Sequence, residues 1–150
     1  MPIERVLIPI DGSEASNKAV RLSGELAPRQ GWKVILLHVL ERPPVPDFTF
    51  PPDVVAQAMN QLRSYGHQIL REAEDVLRAA GVDEISRELI EGSAPETIIQ
   101  RIEEDCCGMV VLGSTGLGRG KLSSLVFGSV AEQVIRRARI PALVVKADLE

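Results

Sequence analysis

The chain has 150 residues and a formal net charge of −4, which argues against a nucleic-acid partner; its basic cluster, "RRAR" at 136–139, falls where it complements the negative end of a helix dipole. No run of 18 apolar residues exists to span a bilayer, and the opening "MPIERVLIPIDGSE" lacks the basic and apolar regions of a secretory signal. These features predict a cytoplasmic protein with no membrane partner, folded as one domain over residues 1–150. The two cysteines, Cys106 and Cys107, are adjacent, which excludes a disulfide framework and predicts buried hydrophobes at the head of a strand.

"RVLIPI" is a short apolar run of the kind that forms a strand buried on both faces. The segment after it repeats Ala19, Leu22, Leu26 and Ala27 at helical spacing, with Ser13 as the N-cap and Gly31 as the stop. "KVILLHV" is the second buried strand. "LERPPVPDFTFPPD" then carries five prolines in 14 residues, so it continues neither strand nor helix; its Phe48 and Phe50 can cover a ligand or pack down, and packing is the favoured reading. Residues 54–80 read as the longest helix, with Gly66 a weak point inside it, His67 on its surface and Gly81 at its end. "DEISRELIEG" predicts a third strand. A capping box, Ser93 with Glu96, opens a third helix. "GMVVLG" is a fourth strand, "SSLVFGSVAEQVIRRAR" contains a fourth helix, and "IPALVVKA" is a fifth strand.

Strands that alternate with helices and are apolar on both faces predict an α/β fold, a five-stranded parallel sheet with helices on both faces. Ligands of such sheets bind at the carboxyl ends of strands where the order reverses. Two orders put strand one at that point, 3-2-1-4-5 and 2-1-3-4-5, and the glycine density after strand four favours the first.

That glycine-rich stretch, residues 110–129, holds five glycines, four serines and a threonine. Gly113, Gly116, Gly118 and Gly120 let the backbone run close to an anion with its amides turned inward. Gly128 and Ser129 sit where a helix begins, and a helix N-terminus adds its dipole and unpaired N–H groups. Ser114, Thr115 and Ser129 supply hydroxyls, while Arg119 and Lys121 supply mobile positive charge. The stretch is not a P-loop, because Gly120-Lys121 is followed by Leu122 and position 115 is Thr. Nor does the "DGSE" turn after strand one form a dinucleotide fingerprint. Asp11 ends a buried strand at the predicted crevice; it can accept hydrogen bonds from a ribose or an adenine amino group, or simply open the turn into the first helix.

Taken together, "VLIPIDGSE", "LLHV", "EGSAPETI", "VVLGSTG", "FGSVAEQVIRRA" and "IPALVV" resemble the universal stress protein family over the whole chain. The nucleotide-binding branch of that family is marked by G-x2-G-x9-G-[ST]. Here Gly113, Gly116, Gly128 and Ser129 match by type, but eleven residues lie between Gly116 and Gly128, so the loop is two residues longer than the pattern. The resemblance implies the 3-2-1-4-5 order, an adenine-nucleotide α-hydrolase-like fold, and ATP as ligand, with any Mg or Mn held by its phosphates. By matched position it implies Asp11 at the ribose or adenine and the Val39 backbone at the adenine. Gly113, Gly116, Gly128, Ser129 and Val130 would hold ribose and phosphates, and Pro9 and Leu112 would line the pocket. Gly118, Arg119 and Lys121 of the longer loop join this set as phosphate contacts. It also implies a homodimer through the last strand, Ala142 to Lys146. A regulatory nucleotide-binding module is favoured over an ATP-hydrolysing enzyme, because residues 110–130 contain no Asp, Glu or His to act as base or metal ligand. It is favoured over a ligand-free scaffold because the glycines are intact.

Overall fold

The computed structural model describes residues 2–43, 46, 48–115 and 127–147. Its elements are β1 (Arg5–Pro9), α1 (Glu14–Gln30), β2 (Lys33–Leu40), α2 (Pro52–Ala79), β3 (Ile85–Glu91), α3 (Ala94–Glu104), β4 (Met109–Gly113), α4 (Ser129–Arg137) and β5 (Ala142–Val145). All four strand pairings are parallel, in the order β3-β2-β1-β4-β5. This is the first of the two arrangements expected, with β1 and β4 as neighbours at the point of reversal.

The two-residue period of β1 divides the core. Val6 and Ile8 face α1 and α2, where they pack with Ala19, Val20, Ile69, Leu70 and Leu77. Leu7 faces the other way, towards α3 and α4, and joins Leu37, Val110, Ile98, Ile102 and Val134. Each face of the sheet is therefore closed by two helices. Among the described residues, no helix is long and apolar enough to cross a membrane.

Helix ends follow local chemistry. The Ser13 hydroxyl accepts the Ser16 amide to cap α1, and Gly31, at φ 68°, ends it in the left-handed conformation. Helix α2 begins at Pro52, two residues before the expected start, since proline fits the first turn where no amide partner is needed. Gly66 lies within α2 because that helix rests directly on β2 and β3. A Cβ there would stand 2.7 Å from both His38 Cδ2 and Leu89 Cδ1.

Three local expectations are corrected. Ser93 makes no capping bond at α3; the Glu41 carboxylate reaches across from the end of β2 and accepts the Ala94 amide at 2.6 Å. Glu96 instead forms a two-pronged pair with Arg137 of α4, both bonds 2.7 Å, which holds its carboxyl below the usual range. Phe48 and Phe50 do not pack down; they are 91% and 47% exposed. Of the two cysteines only Cys107 is buried, and burial pushes its thiol up to about 11. Cys106 is exposed in the turn before β4, at φ 54°.

Candidate functional site

A cavity of about 430 Å³ opens at the carboxyl ends of β1, β2 and β4, within the range of small-molecule sites. Its walls come from the β1–α1 turn, the last residues of β2, the middle of α2, the first turns of α3 and α4, and the end of β4. Pro9, Asp11, Val39, Leu112, Gly113, Gly128, Ser129 and Val130 all line it. Of the residues expected at a site, Gly116, Gly118, Arg119 and Lys121 lie outside the described residues.

At one end is the start of α4. Gly128 is its N-cap, in extended conformation, with no side-chain capping bond. Its own amide donates to the Ser114 carbonyl at 2.7 Å, and the Ser114 amide donates to the Val145 carbonyl at 2.8 Å. These bonds fix the helix start beside the end of β4, so the first-turn amides and the positive end of the dipole face the cavity. The other two helices that begin here are capped by side chains, α1 by Ser13 and α3 by Glu41.

At the other end is β2. The β1 ladder finishes where the Ile10 amide donates to the Leu37 carbonyl, while the Gly92 amide donates to Leu40 on the opposite edge. Peptide groups alternate sides along a strand. Val39 therefore turns its N–H and C=O to the same side as Leu37, past the end of β1 and into the crevice. That residue offers one donor and one acceptor side by side.

Between these ends lies the β1–α1 turn. The Asp11 Oδ1 accepts the Ser13 amide at 2.9 Å, and Gly12 takes φ 84° to close the turn. Asp11 thus does open the turn, the second of the two roles its sequence context allows, and it lines the cavity as well. The Ser13 hydroxyl also donates to the Thr115 carbonyl at 3.4 Å, tying this turn to the end of β4. His38 is buried, with Nδ1 2.8 Å from the Ile10 carbonyl. A carbonyl only accepts, so Nδ1 carries the proton.

The charged residues among the described lining are Asp11 and Glu41, both acidic. Among the described residues no three His, Cys, Asp or Glu side chains gather as a metal site. Sequence reasoning missed the contributions of His38, Glu41, Leu62, Tyr65, Ala94 and Ile98. A histidine inside the apolar run "KVILLHV" was a usable signal for the first; the rest arrive from helices whose register the sequence leaves open.

A sequence profile of the universal stress protein family matches residues 2–146. The chain belongs to the universal stress protein family. Universal stress protein MJ0531 of Methanocaldococcus jannaschii is 28% identical over 144 residues, covering 95% of this chain and 82% of that protein. UspA from Lactobacillus plantarum superposes with a TM-score of 0.84 at 18% identity, covering 97% of this chain and 99% of that one. A universal stress protein solved in complex with cAMP gives 0.68 at 26% identity, covering 99% and 100%. Two further structural neighbours carry adenine nucleotides: one from Archaeoglobus fulgidus holds dAMP (TM-score 0.64, 23% identity), and one from Arabidopsis thaliana holds AMP (0.71, 18%).

Proposed function

We propose that this universal stress protein is an adenine-nucleotide-binding regulatory module, a homodimer that binds ATP without being built to turn it over. The observation that carries the reading is the pairing of opposite chemistries at the two ends of one cavity. Val39 offers a peptide donor and acceptor, matching the N1 and N6 positions of adenine, and α4 offers uncapped amides suited to phosphate. The cAMP, dAMP and AMP complexes of its structural neighbours support adenine as the base.

In this arrangement Pro9 and Leu112 flank the base and Asp11 meets the ribose. Gly113, Gly128, Ser129 and Val130 hold the phosphates, joined by Gly116, Gly118, Arg119 and Lys121 of the longer loop. Those two cations give a triphosphate its advantage over AMP. Any Mg²⁺ or Mn²⁺ would ride on the phosphate oxygens. The acidic Glu41, just past β2, disfavours phosphate at that end and so orients the ligand. Two free cysteines, one exposed, suit the reducing conditions of a cytoplasm.

The dimer reading rests on β5. Its residues, Ala142, Leu143, Val144 and Val145, are apolar and only half-buried, at one edge of the sheet. An edge of that kind invites a second chain. Light scattering at micromolar concentration should give twice the chain mass, and Val144→Pro should give monomers.

The nucleotide reading is tested at Ser129. Aspartate at the first position of α4 favours the helix dipole, so Ser129→Asp leaves stability unchanged or raised. The same charge repels phosphate, and calorimetric titration should show ATP affinity falling at least about tenfold. Undiminished affinity in the folded variant would remove phosphate from this end of the cavity. Mass spectrometry of nucleotide released from fresh protein identifies the ligand directly.

A further inference from the structure

The cavity straddles the edge of the sheet, and its two sides differ. On the α3/α4 side the lining is apolar, with Val39, Ala94, Ile98 and Leu112. On the α1/α2 side it is polar, and most of its polar groups are already committed. Ser13 and Ser16 bond each other, and the His38 Nδ1 proton is spent on Ile10. Among the described residues, the Tyr65 hydroxyl has no protein hydrogen-bond partner.

Two glycines place that hydroxyl. Gly66, the next residue of α2, lets the helix settle on His38. Gly12, at φ 84°, leaves room where a Cβ would collide with the Tyr65 hydroxyl oxygen and stand 3.3 Å from its Cζ. Tyr65 therefore reaches from α2 across to the turn that follows Asp11. The residue is 42% exposed, at the mouth of the cavity it lines.

We propose that Tyr65 is a specificity-determining residue that, with Asp11, reads the sugar of the bound nucleotide and favours a ribonucleotide over its 2′-deoxy form. The inference rests on the adenine-nucleotide reading. With the base against the apolar side and phosphate at α4, the sugar is the portion left beside Asp11 and Tyr65. A phenol both donates and accepts, which matches a sugar hydroxyl. A site built to bond a hydroxyl penalises the analogue that lacks it, because its own polar groups are then left unpaired.

The test is calorimetric titration of AMP and 2′-deoxy-AMP against the unmodified protein and Tyr65→Phe, which keeps the ring and its packing. The unmodified protein should prefer AMP by about tenfold. Tyr65→Phe should lose most of that preference by weakening AMP and leaving deoxy-AMP nearly unchanged. Tyr65 is the one tyrosine of the chain, so ring-labelled tyrosine gives a single set of NMR signals, which AMP should shift more than deoxy-AMP does. Equal losses for the two ligands in Tyr65→Phe, or no preference in the unmodified protein, would overturn the assignment while leaving nucleotide binding intact. A protein that binds neither ligand, nor ATP, overturns both readings.

Discussion

Gly113, the last residue of β4, meets Ala15 of α1 backbone to backbone: a Cβ on Gly113 would stand 2.8 Å from the Ala15 carbonyl carbon and Cβ, and 2.8 Å from the Ser16 amide nitrogen. The missing side chain thus makes room for α1, and the close approach brings the β1–α1 turn to the cavity. Gly113→Ala should cost about 1–3 kcal/mol through overpacking, and Gly113→Val more. Urea denaturation measures this. An unchanged midpoint in Gly113→Ala would mean that the glycine serves only the ligand.

Gly66 gives a second backbone test. In a free helix, Gly→Ala gains up to about 1 kcal/mol. Here the added methyl would press on His38 and Leu89, each a buried or half-buried side chain fixed in the sheet. Gly66→Ala should be net destabilising by about 1–2 kcal/mol despite its better propensity. A variant more stable than the parent would show that α2 shifts freely on β2.

The cap of α3 sets one carboxylate, Glu41, against one serine, Ser93. Glu41→Ala removes the acceptor of the Ala94 amide and should cost about 1 kcal/mol. Ser93→Ala, at the nominal cap position, should be nearly silent. Thermal melts that rank the two variants the other way would return the cap to Ser93.

Glu88 of β3 supplies a pH dependence. Burial, the strongest influence, and the neighbouring Asp105 raise its carboxyl above the ordinary value, against the pull of Arg101. Arg101 Nη2 donates to Glu88 Oε2 at 3.3 Å, while Arg101 Nε approaches Glu88 Oε1 at 3.1 Å without hydrogen-bond alignment. A group raised on folding adds stability below its unfolded pKa, and loses that contribution as pH rises through its folded pKa. The stability of the parent relative to Glu88→Gln should therefore fall as pH rises from about 4.5. Parallel stability curves across that range would count against the assignment.

Much of this architecture was legible because the signals were local. The apolar runs at "RVLIPI" and "KVILLHV" are short and rich in β-branched residues, which favours buried strands, and glycines after strand four single out that end of the sheet. Asp11 and Ser129 are legible from the turn and helix start that carry them, and Val39 from the family resemblance alone. What escaped came from distant parts of the chain. Glu41 caps a helix 53 residues away, and nothing around Ser93 reveals that its hydroxyl is not needed. Tyr65 reaches the cavity with Gly12 leaving space for its hydroxyl and Gly66 letting α2 settle on His38 and Leu89, an arrangement that no periodicity encodes. Gly113 is legible in the sequence as a point of close approach, but its tight fit against Ala15 of α1 is not, because that neighbour comes from a distant helix.

The two borders of the sheet are chemically unlike. The β3 border is dressed with Arg87, paired to Glu74 at 2.9 Å, and with Glu91, paired to Arg63 at 3.7 Å, whereas β5 is uncharged along its length. If a second copy docks on β5 about a two-fold axis, each outward border of the joined sheet is a β3, and charged borders resist further strand addition. Growth then stops at two chains, so the apolar edge can stay adhesive without seeding filaments.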